Sequence, residues 1–529
     1  MRRRTIFEGA GVTLLLLYPH IRMHLSPAHD DIYHRQFPMN SVYGAMLIWI
    51  VILWLLLWGL DYLLVRFDPE TQSPIWSVLV GLLFFRFLRE VPAPEDTRSG
   101  TEYIITNLNR TGEAALIGLA IVVLLLISRR LSKHFYQKTV RAVRIVFAGV
   151  GLCMIWVFPE MLYLTLHKPA LGETSYNHPI EAARLGNHHH RIVWILLDEL
   201  SYRLAIEAPP PGISLRNFSA FRRESYEFTQ MKAPSYWTEI VIPSVILGKQ
   251  VNKISSNPDG MLWYHTANEG WEKFNEEKTI FGDARRAGWT IGLDGYFNPY
   301  CRIMPTVLDR CSWFRETMNL SQMSGNWSIF KNTISPVIRY TSGFKPEDRT
   351  AAQQPEGDHI YILNEQVQAA NELLDDSQLK FLFIHLAVPH PPGSFVVEGA
   401  RGRNNTYEEN LQLADKIFGE LRARIALEDN DSGDQTTIVL TSDHSWRTWH
   451  WRASTFWSKA DEAFSTAPGN YDERPVLMVH LPGEEENHRV DARLNEIKEY
   501  DMFEDMIHKD SFNDDDMESF VNRGETAAP

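Results

Sequence analysis

One stretch, Val42 to Val65, is almost unbroken in its apolar character and rich in Leu, Ile and Trp. It constrains the chain more than any other feature. About 20 consecutive apolar residues cross the roughly 30 Å hydrocarbon core as a helix, and a water-soluble fold seldom hides such a run. Similar stretches crowd the first third of the sequence: Gly9 to His24, Pro74 to Leu88, Ala114 to Ser128 and Arg144 to Leu166. Together they predict a helical membrane anchor of about five spans over residues 1–167. Arg86 lies near one end of its run, where it can snorkel. Asp61 and Glu160 also lie near span ends, as expected at a solvated interface. The start, with Arg2, Arg3 and Arg4 before an apolar core, has some signal-peptide character. Glu8 interrupts that core, however, and no small-residue cleavage site follows cleanly.

Loop charge sets the expected orientation. The segment from Ser128 to Arg144 carries Arg129, Arg130, Lys133, Lys138, Arg141 and Arg144. Basic short loops stay cytoplasmic, so this segment and the Arg2–Arg4 end are expected inside. Four predicted spans between them keep the two ends on one side. The last span then exits outward, so everything after about His167 is expected outside the cytoplasm. The arginines within Arg89 to Gly112 are a mild contradiction, since they fall on the outer side. The expected location is a cell membrane, multi-pass.

A chain of 529 residues suggests more than one domain. The sequence divides into the anchor, a linker at 168–189, a segment of mixed strands and helices at 190–485, and an acidic tail at 486–529 that reads as peripheral and partly disordered. A net charge of −14 argues against nucleic acid as a partner, because that binding needs basic patches. Three cysteines make no disulfide framework, although Cys301 and Cys311 flank a short loop and could pair in an oxidising compartment.

Beyond Asn187 short apolar runs alternate with helical patterns. The runs are Arg191 to Asp198, Gly288 to Tyr296, Lys380 to Pro389, Gln435 to His444 and Arg474 to Pro482; helices are expected over Asp358 to Leu374 and Tyr407 to Leu427. Continuous apolar runs of this length fit strands buried on both faces. The alternation predicts an α/β domain whose central sheet is mostly parallel and flanked by helices. Ligands in such sheets bind beyond the carboxyl ends of the strands. Three of those ends carry Asp198-Glu199, Asp443-His444 and the proline-flanked His390. Carboxylates with imidazole suit Zn²⁺ or Mn²⁺, one ion or two. Each acid alone could equally cap a following helix. Thr238 opens the apolar stretch IVIPSVIL, where it is either a plain N-cap or a hydroxyl aimed at the metal. A cation beside a hydroxyl lowers its pKa and makes it a nucleophile.

The order of these motifs resembles the sulfatase-like branch of the alkaline phosphatase superfamily. WILLDELS gives an acid after the first strand, and about forty residues later comes the TEIVIPSVILGK block. HLAVPHPP, LTSDHSWR and RPVLMVHLPG follow. An anchor of about five spans before such a domain is similar to lipoteichoic acid synthases and lipid A phosphoethanolamine transferases. The resemblance implies an alkaline-phosphatase-like domain that acts as a metal-dependent hydrolase or phospho-group transferase. It implies Thr238 as nucleophile, Asp198, Thr238, Asp443 and His444 as metal ligands, Glu199 as a substitute or extra ligand, and His390 as a second-metal ligand or a contact to the transferred group. Its implied partners are the lipid bilayer and an anionic ester, such as a lipid head group or an envelope glycan.

The chain departs from these relatives in places. A formylglycine sulfatase needs Cys or Ser in a Cys/Ser-x-Pro-x-Arg setting, and TEIVIPSV has neither the Cys nor the Arg. An atypical sulfatase is therefore the second reading. The transferases carry cysteine pairs near the nucleophile, which this chain lacks, and their Ser-Asp-His-Gly is Ser-Asp-His-Ser-Trp-Arg here. Two-metal members have a further downstream His; His450 is closer than expected, and His480 falls inside a strand. A non-catalytic sensor or assembly factor on a degenerate scaffold is the third reading. The tract His188 to His190 precedes the first strand at the end away from the site and reads as an exposed linker. Arg447, Arg452 and Lys249 are candidate anion clamps or ordinary surface charges. Trp446, Trp449 and Trp451 are a candidate apolar wall for a lipid substrate, or a packed lid. Asp294 to Tyr296 and the Cys301 to Cys311 loop are expected at a rim near the site.

Overall fold

The computed structural model describes residues 2–25, 39–67, 119–167, 175–314, 355–392 and 406–525, with brief interruptions inside those ranges, and Phe330. The predicted span at 74–88, the segment 89–112 and half of the linker, 168–174 with 185–187 and 189, lie outside the described residues. The chain divides into two compact units: Met1–Ala170 with Leu320–Arg349, and Leu171–Asn319 with Thr350–Pro529.

The first unit contains α1 (Arg2–Leu25), α2 (Met39–Phe67), α3 (Lys133–Leu152) and α4 (Met154–Leu166). Asn40–Gly59 and Arg141–Leu166 are long and apolar enough to cross a membrane by length and composition. The basic stretch predicted as a loop from Ser128 to Arg144 is instead helical from Lys133, because nothing in KHFYQKTVRAVR breaks a helix. Helices α1 and α3 meet where neither carries a side chain. A Cβ on Gly11 would fall 1.9 Å from the Phe147 carbonyl oxygen, and one on Gly151 1.9 Å from that of Phe7. Beside this crossing the buried Glu8 accepts from Arg144 Nε at 2.7 Å. Glu8, which breaks the signal-peptide pattern, is thus part of a helix-pair contact.

The second unit is built on a nine-stranded sheet. Its strands in chain order are β1 (Ser175–Asn177), β2 (His190–Leu197), β3 (Tyr226–Lys232), β7 (Ile291–Tyr296), β8 (Arg310–Phe314), β9 (Phe381–Leu386), β10 (Gln435–Thr441), β11 (Leu477–His480) and β12 (His488–Asn495). A separate three-stranded sheet holds β4 (Val251–Ser256), β5 (Leu262–Thr266) and β6 (Gly270–Lys273). The order across the large sheet is β1-β8-β7-β9-β2-β10-β11-β3-β12. Strands β8, β7, β9, β2 and β10 run parallel, while β11 lies antiparallel between β10 and β3, and β1 antiparallel to β8. The sheet is therefore mixed. The run Arg474 to Pro482, expected within a mostly parallel sheet, supplies one of the reversed strands.

Strand β2 is buried at every residue. Trp194 packs on one face against Phe383 and Phe503, with ring centroids 4.4 Å away in each case. Val193, Ile195 and Leu197 join a core on the other face with Leu411 and Phe418. Two covered faces explain why the strand reads as IVWILL rather than as an alternation. Further helices are α5 (Thr238–Leu247), α6 (Tyr300–Ile303), α7 (Pro355–Leu374), α8 (Tyr407–Ser432), α9 (Thr448–Trp451), α10 (Glu499–His508) and α11 (Asp514–Glu525).

Two expectations change. The segment taken as an acidic tail supplies an edge strand, β12, paired in parallel with β3, and then α10 and α11. Met502, Phe503, Met506 and Ile507 give α10 a buried apolar face, which the surrounding acids mask in the composition. The histidine tract is also no exposed linker among its described members. His188 stacks on Trp289 at 4.2 Å, and buried His190 opens β2.

Candidate metal centre and nucleophile

Parallel strands deliver their last residues to one edge of a sheet, and the site forms there. Asp198 and Glu199 follow β2, His385 lies within β9 and His390 just beyond it, and Asp443 and His444 follow β10. All six are buried. Thr238 is the first residue of α5. The N-cap is Trp237, so the Thr238 hydroxyl does not cap its own helix. Thr238 Oγ1 donates to Asp443 Oδ2 at 2.7 Å and lies 3.3 Å from His444 Nε2.

The Asp443 loop is tightly ordered. Its Oδ1 accepts from the backbone N–H of His444 at 2.9 Å and of Glu199 at 3.2 Å. His444 Nδ1 faces the Ser445 carbonyl at 3.1 Å, so Nδ1 carries the hydrogen and Nε2 offers a lone pair. That lone pair sits 3.0 Å from Asp443 Oδ2. Atoms this close need a proton or a metal ion between them. Asp198 completes the case: neither of its buried carboxylate oxygens has a hydrogen-bond partner. Ligand atoms of Asp198, Asp443 and His444 all lie within 4.8 Å of one another, as do those of Asp198, Glu199 and His390. The donor set, carboxylate with neutral imidazole, fits a divalent ion such as Zn²⁺ or Mn²⁺.

The electrostatics point the same way. Burial, and then the charges of Asp443 and Glu199, push the Asp198 carboxyl well up, as happens where carboxylates crowd without a counter-charge. Burial also opposes ionisation of Asp443, but His444 outweighs it and holds that carboxyl well below the usual range. Burial lowers His385 to about 4, and it lowers His390 too, helped by His359 and Arg447. Both imidazoles are thus neutral near pH 7, the form that binds metal.

Glu199 differs from Asp198. Its backbone φ is +64°, a conformation few non-glycine residues adopt. Arg447 Nε donates to its Oε1 at 2.6 Å, and Trp451 Nε1 reaches both oxygens at 2.9 and 2.8 Å. Tyr407 donates its hydroxyl to the Glu199 carbonyl at 2.7 Å. His390 Nε2 stands 4.0 Å from Glu199 Oε1 and edge-on to Trp451.

The three tryptophans separate. Trp446 is core, stacked on Tyr407 at 4.2 Å, whereas Trp451 holds Glu199. Trp449 meets Trp237 edge-on at 5.9 Å, and Trp237 and Tyr236 remain exposed beside Thr238. Lys249 pairs with Glu269 and Arg452 with Glu462, both as ordinary surface ion pairs. His450 lies edge-on to Trp237 at 5.3 Å, near the site, while His480 bonds the Glu224 carbonyl within its strand.

Sequence reasoning missed several neighbours. His385 was passed over inside an apolar strand, and His359 inside an amphipathic helix. Asn298 approaches the Thr238 carbonyl at 3.5 Å. Asp294, which the sequence did single out as part of a rim, is instead fully buried on β7 with both oxygens unpartnered. Glu496 and Glu499 are buried as well, and burial pushes both carboxyls up. Asp198 at the end of an apolar strand was legible; a lone His or Glu without a motif was not.

No family model and no curated protein matches the chain. Among solved structures it is similar to the 6S-sulf protein of a Bacteroides thetaiotaomicron locus for metabolism of multiple glycosaminoglycans, at 13% identity over 64% of this chain and 83% of that one, with a TM-score of 0.44. It is similar to the lipoteichoic acid synthase LtaP from Listeria monocytogenes, at 14% identity over 60% and 73%, with a TM-score of 0.34. A protein in the alkaline phosphatase superfamily from Vibrio parahaemolyticus follows at 14% identity over 64% and 71%, with a TM-score of 0.33. At these TM-scores the likenesses add no weight to the site, whose reading rests on its own residues.

Proposed function

We propose that this chain is a membrane-anchored, metal-dependent enzyme of the sulfatase-like alkaline phosphatase type, which cleaves or transfers a phospho group through Thr238. The observation that carries the reading is the buried Thr238 hydroxyl, hydrogen-bonded to Asp443 at 2.7 Å beside His444 and the unpartnered Asp198. A hydroxyl that only filled space or capped a helix would not be placed among three metal-type ligands.

Asp198, Thr238, Asp443 and His444 would hold the ion. When bound, the ion supplies positive charge that lowers the Thr238 pKa and screens the transferring group's oxygens. Asp443 accepts the hydroxyl hydrogen and keeps Oγ1 oriented. His385 backs Asp198. In the first step a Thr238 Oγ–P bond forms, the bond from phosphorus to the leaving oxygen breaks, and the proton that Thr238 gives up ends on the leaving oxygen. Water or an acceptor hydroxyl then attacks the phosphothreonine and returns Thr238. Hydrolase and transferase share these residues and differ in which of the two arrives.

Two observations support an extracytoplasmic catalytic unit: the apolar helices of the first unit and the Cys301–Cys311 disulfide, since disulfides persist in oxidising compartments. The substrate class is an anionic ester, a lipid head group or an envelope glycan. The deciding experiment assays detergent-solubilised protein and Thr238→Ala on phosphodiesters and sulfate esters, with mass spectrometry of residue 238. Phosphate release abolished in the variant, with a phosphothreonine in wild type, supports the reading. Equal rates for the two proteins would sink it, and sulfate release alone would favour sulfuryl chemistry.

A further inference from the structure

Within the proposed metal centre the two overlapping ligand groups are not equivalent. In the first group Asp198 has no hydrogen-bond partner, and Asp443 accepts only from backbone N–H groups and from the Thr238 hydroxyl, with no side-chain cation on it. Asp198, Glu199 and His390 share a member, Glu199, whose oxygens are already engaged. Oε1 receives Arg447 Nε at 2.6 Å, a second contact from Arg447 Nη2, and Trp451 Nε1 at 2.9 Å. Oε2 receives Trp451 Nε1 at 2.8 Å and the Arg447 backbone N–H at 3.4 Å. The guanidinium lies near the faces of Trp237 and Trp451, 5.4 and 5.5 Å from their centroids, and its Nη1 donates to the Tyr236 carbonyl at 3.1 Å. Arg447 is itself buried. Its donors face inward, so it is not the anion clamp its position after the Ser-Asp-His block suggested.

We infer that the Arg447 guanidinium takes the place of a second metal ion, so that the centre holds one divalent cation and Glu199 is not among its ligands. Charge balance supports this. Buried charges are tolerated only when paired. Asp198, Glu199 and Asp443 bring three negative charges to one buried cluster. The guanidinium cancels one, and a single divalent ion cancels the other two. A second ion would have to displace two guanidinium nitrogens that converge on Glu199 Oε1 and an indole N–H, all in the protein interior. Arg447 also ties the two halves of the site together, because the segment it grips through Tyr236 leads directly into Trp237 and Thr238. It is therefore a positioning residue for the nucleophile.

The inference rests on the metal centre proposed above, and metal stoichiometry tests it without relying on turnover. Full-length protein in detergent is stripped with a chelator, reloaded with excess Mn²⁺, desalted, and its ion content measured by elemental mass spectrometry. The expected result is one ion per chain for wild type and one for Glu199→Gln. Arg447→Ala is expected to bind two, with the count returning to one in the Arg447→Ala, Glu199→Gln double variant. Two ions in wild type falling to one in Glu199→Gln would overturn the inference. So would one ion falling to none in Glu199→Gln, or a folded Arg447→Ala that still binds one. If Arg447→Ala does not fold, wild type and Glu199→Gln decide alone. No ion in wild type would overturn the metal centre as well, whereas two ions with a Thr238-dependent activity would overturn only the single-ion reading.

Discussion

The hydroxyl of Tyr300 lies 2.8 Å from Nδ1 of His385, and the other nitrogen of that imidazole faces Asp198 Oδ2 at 3.5 Å. With the tyrosine donating to Nδ1, the hydrogen sits on Nε2 and points at the carboxylate. The three residues form a line from the α6 turn to the metal centre, with the His385 ring oriented toward Asp198 without a hydrogen bond to it. Partners of this kind tune metal ligands. Tyr300→Phe removes the donor and leaves a buried ring nitrogen unpaired, a loss of about 1–3 kcal/mol. The expected outcome is a roughly tenfold weaker metal affinity, at the low end of such outer-shell effects. Titration of the stripped protein with Mn²⁺ checks it. Unchanged affinity would mean that Tyr300 only fills space.

The same turn is covalently tethered. Cys301, next to Tyr300, is bonded to Cys311 on β8, ten residues on. Closing a loop of this size is worth about 3 kcal/mol through the unfolded chain. The Cys301→Ser, Cys311→Ser variant is expected to melt at a lower temperature, and a reductant is expected to lower the melting point of wild type but not of the variant. An unchanged midpoint in both comparisons would mean the bond adds nothing to stability.

Much of this was legible because its signals are local. The strand runs around Ile195, Leu293, Ile384, Val439 and Val479 are nearly uninterrupted because both faces of the sheet are covered, and each became a strand. Asp198, Asp443 and His444 were legible because they end such runs. What was hidden depends on pairing between distant segments. The reversal of β11 leaves no mark on RPVLMVHLP. The edge strand β12 alternates with charged residues and so reads as tail. Arg447 could be recognised as the partner of Glu199 only once β10 brought the two together across 248 residues of sequence. His359 and His385 lie in apolar patterns where a histidine is usually core.

His359 also makes a pH prediction. Burial lowers it from 6.5 to about 4. Above pH 6.5 it is neutral in both folded and unfolded chains. As pH falls below 6.5 the unfolded chain takes up a proton that the folded chain refuses until about pH 4, so stability is lost through that window. The full loss at this one site is about 3 kcal/mol. Melting curves from pH 7 to pH 4 are expected to fall less steeply for His359→Gln than for wild type. Parallel curves would mean that the ring is protonated in the fold.

The helix pair of the first unit offers a test that owes nothing to the active site. Gly11 and Gly151 each face a backbone carbonyl of the other helix at a distance no Cβ can occupy, so the crossing of α1 and α3 depends on both. Small residues let helices approach this closely, and packing is what holds them in an apolar surround. Glu8 and Arg144 pair beside the crossing, where an unpaired charge would be costly. Gly11→Val should force the helices apart, stretch that ion pair, and lower the detergent melting temperature by several degrees. Glu8→Gln keeps the shape and removes one charge, so Arg144 is left without its counter-ion and the loss should be similar in direction but smaller. Combining the two tests their coupling: once valine has separated the helices, removing the Glu8 charge should change little. A double variant whose losses simply add would show that the glycine contact and the ion pair act independently.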